Sequence, residues 1–180
     1  MKKYNKVQIM EKLDKLARKV DDLYLALYDK TNNDAYSEDL ISTKLYQAVH
    51  EYCSRDLDLE NYYNWGLEDM GEFTRGSFTG YSVKINRLNK PAAYLMSGLY
   101  SEGEVRVKYY NKALNVLSTM AHELRHAYQQ EHGLADLDSY IDSEEDFDAY
   151  INQPCEVDAR EYQAGFFTEE MYDEFFKFLK

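Results

Sequence analysis

Cysteine is scarce in this 180-residue chain, with only Cys53 and Cys155 present. Two cysteines make no disulfide framework. The fold must therefore rest on a hydrophobic core, which a chain of this length can bury without staples. Long apolar runs are missing as well. No stretch approaches the roughly 20 residues that cross a bilayer as a helix. The opening MKKYNKVQIMEKLDKL is basic at first but lacks the apolar core of a secretory signal. The expected setting is cytoplasmic, with no membrane partner. Positive charge is also in short supply: 21 Lys and Arg face 33 Asp and Glu, for a net charge of −12. A nucleic-acid backbone would be repelled by that field unless basic residues were segregated into a patch, and none stands apart, so no nucleic-acid partner is expected. Apolar residues make up 44% and charged residues 30% of the chain, an ordinary globular balance. The 18 tyrosines read as amphipathic packing at the core edge, although a protein-binding surface would use the same residues.

Hydrophobic periodicity divides the chain. Val7, Met10, Leu13, Leu16, Val20, Leu23 and Leu27 recur at helical spacing. DKTNNDAYSED interrupts them, and a second helix is expected from Ser37 through Leu40, Ile41, Leu45, Val49 and Tyr52. Residues 54–80, broken by Gly66, Gly71, Gly76 and Gly80, read as mostly irregular. YSVKINRL and EVRVKYY alternate with period two and are expected as half-buried strands, with AAYLMSGLY a third between them. Asn111 is a possible cap for the next helix, which should end at Gly133. Pro154 suits the first position of another, carrying Cys155, Ala159, Tyr162 and Phe166 as its apolar stripe, and a short final helix is expected from Thr168. The predicted class is α+β: mainly helical, with a small sheet of about three strands packed on the 111–133 helix. Residues 1–60 form a two-helix N-terminal segment and residues 61–180 the remaining domain, together one compact unit.

The chemistry concentrates in STMAHELRHAYQQEHG, residues 118–133. His122 and His126 lie four apart and so project from one face of a helix, where both can offer a nitrogen to one ion. Glu123 projects beside them, where a general base would act on water. This H-E-x-x-H spacing is that of zinc-dependent hydrolases. The alternative is a charged helix that happens to contain histidines. Small and apolar neighbours (Thr119, Met120, Ala121, Ala127) favour a buried helix, while Arg125 puts a charge inside the motif, where its strictest form has none.

A catalytic zinc site needs a third protein ligand. The candidates downstream are Glu156 and Asp158, on either flank of the apolar stripe. Helical geometry does not separate them, and reach slightly favours the longer Glu156. His132, near a helix C-terminus, is placed for a dipole interaction, and His50 for a structural or surface role. Cys53 and Cys155 read as small buried hydrophobes, either of which could otherwise close a four-ligand site. Tyr128, Tyr150 and Arg160 are open candidates for stabilising an oxyanion.

TMAHELRHAYQ followed by QPCEVDAREYQA resembles the gluzincin metallopeptidases, most nearly the small ImmA/IrrE-like and phage- or plasmid-associated HExxH proteins. The resemblance covers roughly residues 80–167. It implies one Zn²⁺ per chain held by His122, His126 and Glu156, with Glu123 as catalytic base and a protein or peptide as substrate. Residues 61–180 would then be the metallopeptidase-like domain. Related enzymes hold the substrate along an edge strand, for which EVRVKYY is the candidate. Two other functions compete: a non-proteolytic zinc-binding interaction module, and a latent peptidase regulated by its N-terminal helices. The substrate, the native metal and the oligomeric state are not legible.

Overall fold

The computed structural model describes residues 34–72, 74–88, 103–135 and 139–165. The expected helix over residues 7–27, the AAYLMSGLY strand and the final helix from Thr168 lie outside them. In chain order the elements are α1 (Asp34–Asp56), β1 (Asn64–Glu68), β2 (Gly76–Phe78), β3 (Ser82–Asn86), α2 (Gly103–Glu131), α3 (Phe147–Asn152) and α4 (Pro154–Gly165). The fold is α+β and mainly helical, with one small mixed sheet. None of the described helices is long and apolar enough to cross a membrane.

The sheet order is β1-β3-β2, with β1 parallel and β2 antiparallel to β3. Only the middle strand matches its sequence expectation. Val83 and Ile85 are fully buried, as their alternation requires. β1 and β2 correct the irregular reading of residues 54–80. They are short, only part buried and carry glycine in the strand, so neither β-propensity nor alternation marks them. Asn86, itself buried, organises the turn before β2 by donating to the carbonyls of Gly71 and Thr74, each at 2.6 Å.

EVRVKYY is a second correction. Residues 104–110 belong to the first turns of α2, which starts at Gly103 rather than at Asn111. Seven residues of alternation are weak evidence against a helix that is already nucleated downstream. Once the histidine-bearing turns form, each added residue gains a backbone bond for one more fixed residue.

α2 is the central helix. Between Val116 and Gln129 it is buried on most sides, with Leu117, Met120, Ala121, Leu124 and Ala127 at zero exposure. α1, β2, β3 and α4 all pack on it. From α1 come Leu45, Tyr46, Val49 and Cys53, all fully buried, and the Tyr46 hydroxyl donates to the Val116 carbonyl at 3.4 Å. His50 is buried beside them with Nε2 2.7 Å from the Tyr63 carbonyl, a structural role. α2 stops where expected. Gly133 is left-handed at φ +63°, and Leu134 N–H and Gly133 N–H bond back to the Gln129 and Gln130 carbonyls in a Schellman arrangement. Glu131, at that same end, accepts from Glu60 N, Asn61 N, Asn61 Nδ2 and Tyr63 Oη, and so ties the approach to β1 onto α2.

Candidate metal centre

His122 and His126 lie on the half-buried part of α2 that faces the start of α4. Their Nε2 atoms are 3.1 Å apart. Glu156, in the first turn of α4, closes the triangle: Oε2 is 3.4 Å from His122 Nε2 and Oε1 is 3.2 Å from His126 Nε2. The carboxylate is 1% exposed. Pro154 at the first helical position places Glu156 there, and a carboxylate in a helix's first turn is favoured by the dipole. The buried line of α4 runs through Glu156 and Ala159, so the Cys155–Ala159–Tyr162 stripe is only half buried.

Asp158 takes the other position. It forms a two-pronged ion pair with Arg125, Nε–Oδ2 2.8 Å and Nη2–Oδ1 3.0 Å, and accepts from Gln129 Nε2 at 2.7 Å. The charge inside the motif therefore fastens α4 to α2, and Asp158 is drawn off toward Arg125. The guanidinium holds the Asp158 carboxyl below its ordinary range.

The three residues form a group that could hold a cation. Three atoms at corners of a tetrahedron about 2.0–2.1 Å from its centre are about 3.3–3.4 Å apart, the spacing of a zinc bound by imidazole and carboxylate. The two Nε2 atoms here are 3.1 Å apart and each lies 3.2–3.4 Å from a different oxygen of Glu156; taken with one ligand atom from each residue, all lie within 4.8 Å of one another. Glu156 Oε2 is buried without a well-formed hydrogen bond among the described residues, although Arg160 Nη1 approaches to 3.7 Å. Burial works upward on the Glu156 carboxyl, but the two imidazoles outweigh it and hold the group well below the usual carboxylate range. Among the described residues no fourth His, Cys, Asp or Glu joins this group. Cys53 sits in the core against α4, and Cys155 borders the cavity without reaching the three donors.

Glu123 lies beside the triangle, 6% exposed. Burial pushes its carboxyl up to about 6, against the pull of His122 and His126 and a bond from the Phe78 N–H. β2 makes that bond possible. Arg75 and Thr79 turn their backbone groups toward β3, so by alternation Gly76 and Phe78 turn theirs to the open edge. Glycine at 76 leaves room for the base: a Cβ there would lie 2.8 Å from Thr119 Cγ2 and 2.9 Å from Glu123 Oε1, so one of them would have to shift.

A cavity of about 470 Å³ opens over these groups, lined by residues 76–80 of the β2 edge, by the histidines and by Tyr140 and Tyr150. Of the three oxyanion candidates, Tyr150 alone borders this cavity. Tyr128 stacks on His132, and Arg160 sits behind Glu156. His132 binds the Tyr128 carbonyl at 2.9 Å, in keeping with a helix-end role. Two site residues were not anticipated. Tyr140 donates to Glu156 Oε1 at 3.1 Å, held over it by a two-way bond between the Gln153 amide and the Ile141 backbone. It comes from a loop, where no periodicity points to a partner. Gln129 lies 2.8 Å from His126 Nδ1. The signal for it was present, since positions 122, 126 and 129 share one helix face. No protein-family model, curated protein or solved structure matches this chain.

Proposed function

We propose that this chain is a zinc-dependent metallopeptidase of the gluzincin type, acting on a peptide in the cytoplasm. The observation that carries this reading is the triangle of His122, His126 and Glu156 with a buried, ionisable Glu123 beside it at the floor of an open cavity. The ligand types favour zinc among first-row metals. Bound there, zinc supplies Lewis acidity toward a carbonyl oxygen and lowers the pKa of water toward about 7. The chain's own residues do the rest. Glu123, ionised at neutral pH, takes a proton from the attacking water and delivers it to the leaving amine as the C–N bond breaks. The Phe78 N–H holds that carboxylate at the strand edge. With EVRVKYY in a helix, the strand that can pair with an extended substrate is β2, whose outer edge borders the cavity. Tyr140 and Tyr150 face the cavity with protonated phenols, each raised by burial and by Glu156, and can donate to a developing oxyanion. The free thiols of Cys53 and Cys155 suit a reducing compartment.

The test is elemental analysis of the purified full chain beside a His122→Ala/His126→Ala variant, followed by peptide cleavage with Glu123→Gln. About one zinc per chain, lost in the double variant, together with cleavage lost in Glu123→Gln, is the expected result. Zinc bound without cleavage, and without tight hydroxamate binding, would move the reading to a metal-held interaction module. No metal uptake would remove the metallopeptidase reading altogether.

A further inference from the structure

Gln129 is 2% exposed and uses its whole amide. Its Nε2 lies 2.8 Å from the Cys155 carbonyl and 2.7 Å from Asp158 Oδ2, and its Oε1 lies 2.8 Å from His126 Nδ1. The orientation of this amide is settled by chemistry. A carbonyl and an ionised carboxylate can only accept, so the NH₂ must face Cys155 and Asp158. Turning the amide over would set its oxygen against two other oxygens. The oxygen thus faces His126, and an amide oxygen also only accepts. His126 Nδ1 must carry a hydrogen. In the neutral ring, Nε2 then bears the lone pair, and it is Nε2 that points at His122 and Glu156.

We infer that Gln129 is a positioning residue that locks His126 in the Nδ1–H tautomer and turns the lone pair of Nε2 into the triangle. Behind it stands a relay: Arg125 holds Asp158, Asp158 and the Cys155 carbonyl orient the Gln129 amide, and Gln129 orients His126. The relay runs between α2 and α4, so the helix that carries Glu156 also sets the tautomer of the histidine opposite it. The motif's internal arginine is the far end of this chain. A carboxylate or a backbone carbonyl commonly orients a metal-binding histidine. A neutral amide does so here without adding negative charge beside Glu156 and Glu123. His122 has no such partner among the described residues, since its buried Nδ1 is unbonded.

The tautomer stands whether or not a metal binds, whereas its effect on affinity rests on the proposed zinc site. The experiment is a long-range ¹H–¹⁵N correlation on the ¹⁵N-labelled full chain. It would be run metal-free over a pH series until the His126 ring is neutral, because burial lowers its pKa but Glu156 and Glu123 more than offset that and raise it above the ordinary 6.5, and again after adding zinc. The expected result is a proton on Nδ1 of His126 in the metal-free chain, retained with zinc. A neutral His126 ring with its proton on Nε2 and none on Nδ1 in the metal-free chain overturns the inference, even if zinc uptake is normal. Failure to take up zinc with Nδ1–H intact would instead sink the metallopeptidase reading and leave the positioning role standing. For Gln129→Leu, the expected loss is about 10–100-fold in zinc affinity by chelator competition, together with a mixed tautomer. Unchanged affinity and an unchanged tautomer in a folded variant would assign Gln129 to packing alone. Should that variant not fold, the wild-type tautomer still decides.

Discussion

Glu123→Gln should make the metal-free protein more stable while abolishing cleavage. The reason is the burial of the wild-type charge. The Glu123 carboxyl is raised from 4.5 to about 6, with burial the largest cause, so its ionised form is disfavoured in the folded chain. At about 1.36 kcal/mol for each pKa unit, carrying that charge at pH 7 costs the native state about 2 kcal/mol. A glutamine keeps an oxygen for the Phe78 N–H and carries no charge. In a chain of this size the gain corresponds to a rise of about 4–8 °C in the unfolding midpoint. The sign follows from proton linkage. Between 4.5 and about 6 the folded chain binds more protons at this site than the unfolded chain, so wild type recovers stability as pH falls through that window. The variant's advantage should be full at pH 7 and nearly gone by about pH 4.5. The assay is thermal or urea unfolding of both proteins with chelator present, across that range. A variant equal to or less stable than wild type at pH 7, or an advantage independent of pH, would refute a buried charged Glu123. Loss of general-base catalysis should lower turnover by about 10²–10⁴-fold, so stability and activity are expected to move in opposite directions.

Other perturbations probe separate parts of the structure. Gly76→Ala places a methyl 2.8 Å from Thr119 Cγ2 and 2.9 Å from Glu123 Oε1, and should cost about 1–3 kcal/mol in urea unfolding while lowering turnover by displacing the base. Gly66→Ala, with open space around its Cβ, is the control and should be far milder. His50 titrates in the opposite sense to Glu123. Burial lowers its pKa from 6.5 despite its bond to the Tyr63 carbonyl, so the unfolded chain binds the extra proton, and His50's contribution is lost as pH falls below about 6.5. The difference in unfolding between a Glu123→Gln background with and without His50→Gln, followed from about pH 7.5 to 5, should report that loss, since His126, whose pKa is raised, is common to both proteins. Asp158→Ala removes the partner of Arg125 and one anchor of Gln129. It should loosen α4 and weaken zinc binding by chelator competition, whereas Asp69→Ala, exposed and outside the cavity, should leave affinity unchanged.

Helical periodicity alone put His122, Glu123 and His126 on one stretch of a buried helix. Regular backbone geometry fixes which side chains share a face wherever a helix forms. It also placed Val83 and Ile85 in a strand, Pro154 at a helix start and Gly133 past a helix end, because each rests on a local preference that neighbours do not reverse. EVRVKYY shows where such reasoning stops: its alternation is real, but helix extension from the motif turns prevails over it. β1 and β2 escape such reasoning because both are short, part buried and interrupted by glycine, and in β2 Gly76 answers to Thr119 and Glu123 across the fold. The choice between Glu156 and Asp158 could not be read from the chain either, since both flank the same stripe of α4. Tertiary structure separates their positions by setting Arg125 opposite one and two imidazoles opposite the other, 33 residues apart along the chain in the case of Arg125 and Asp158. Spacing along a single helix is a property of sequence. The meeting of charges from two helices depends on how those helices pack.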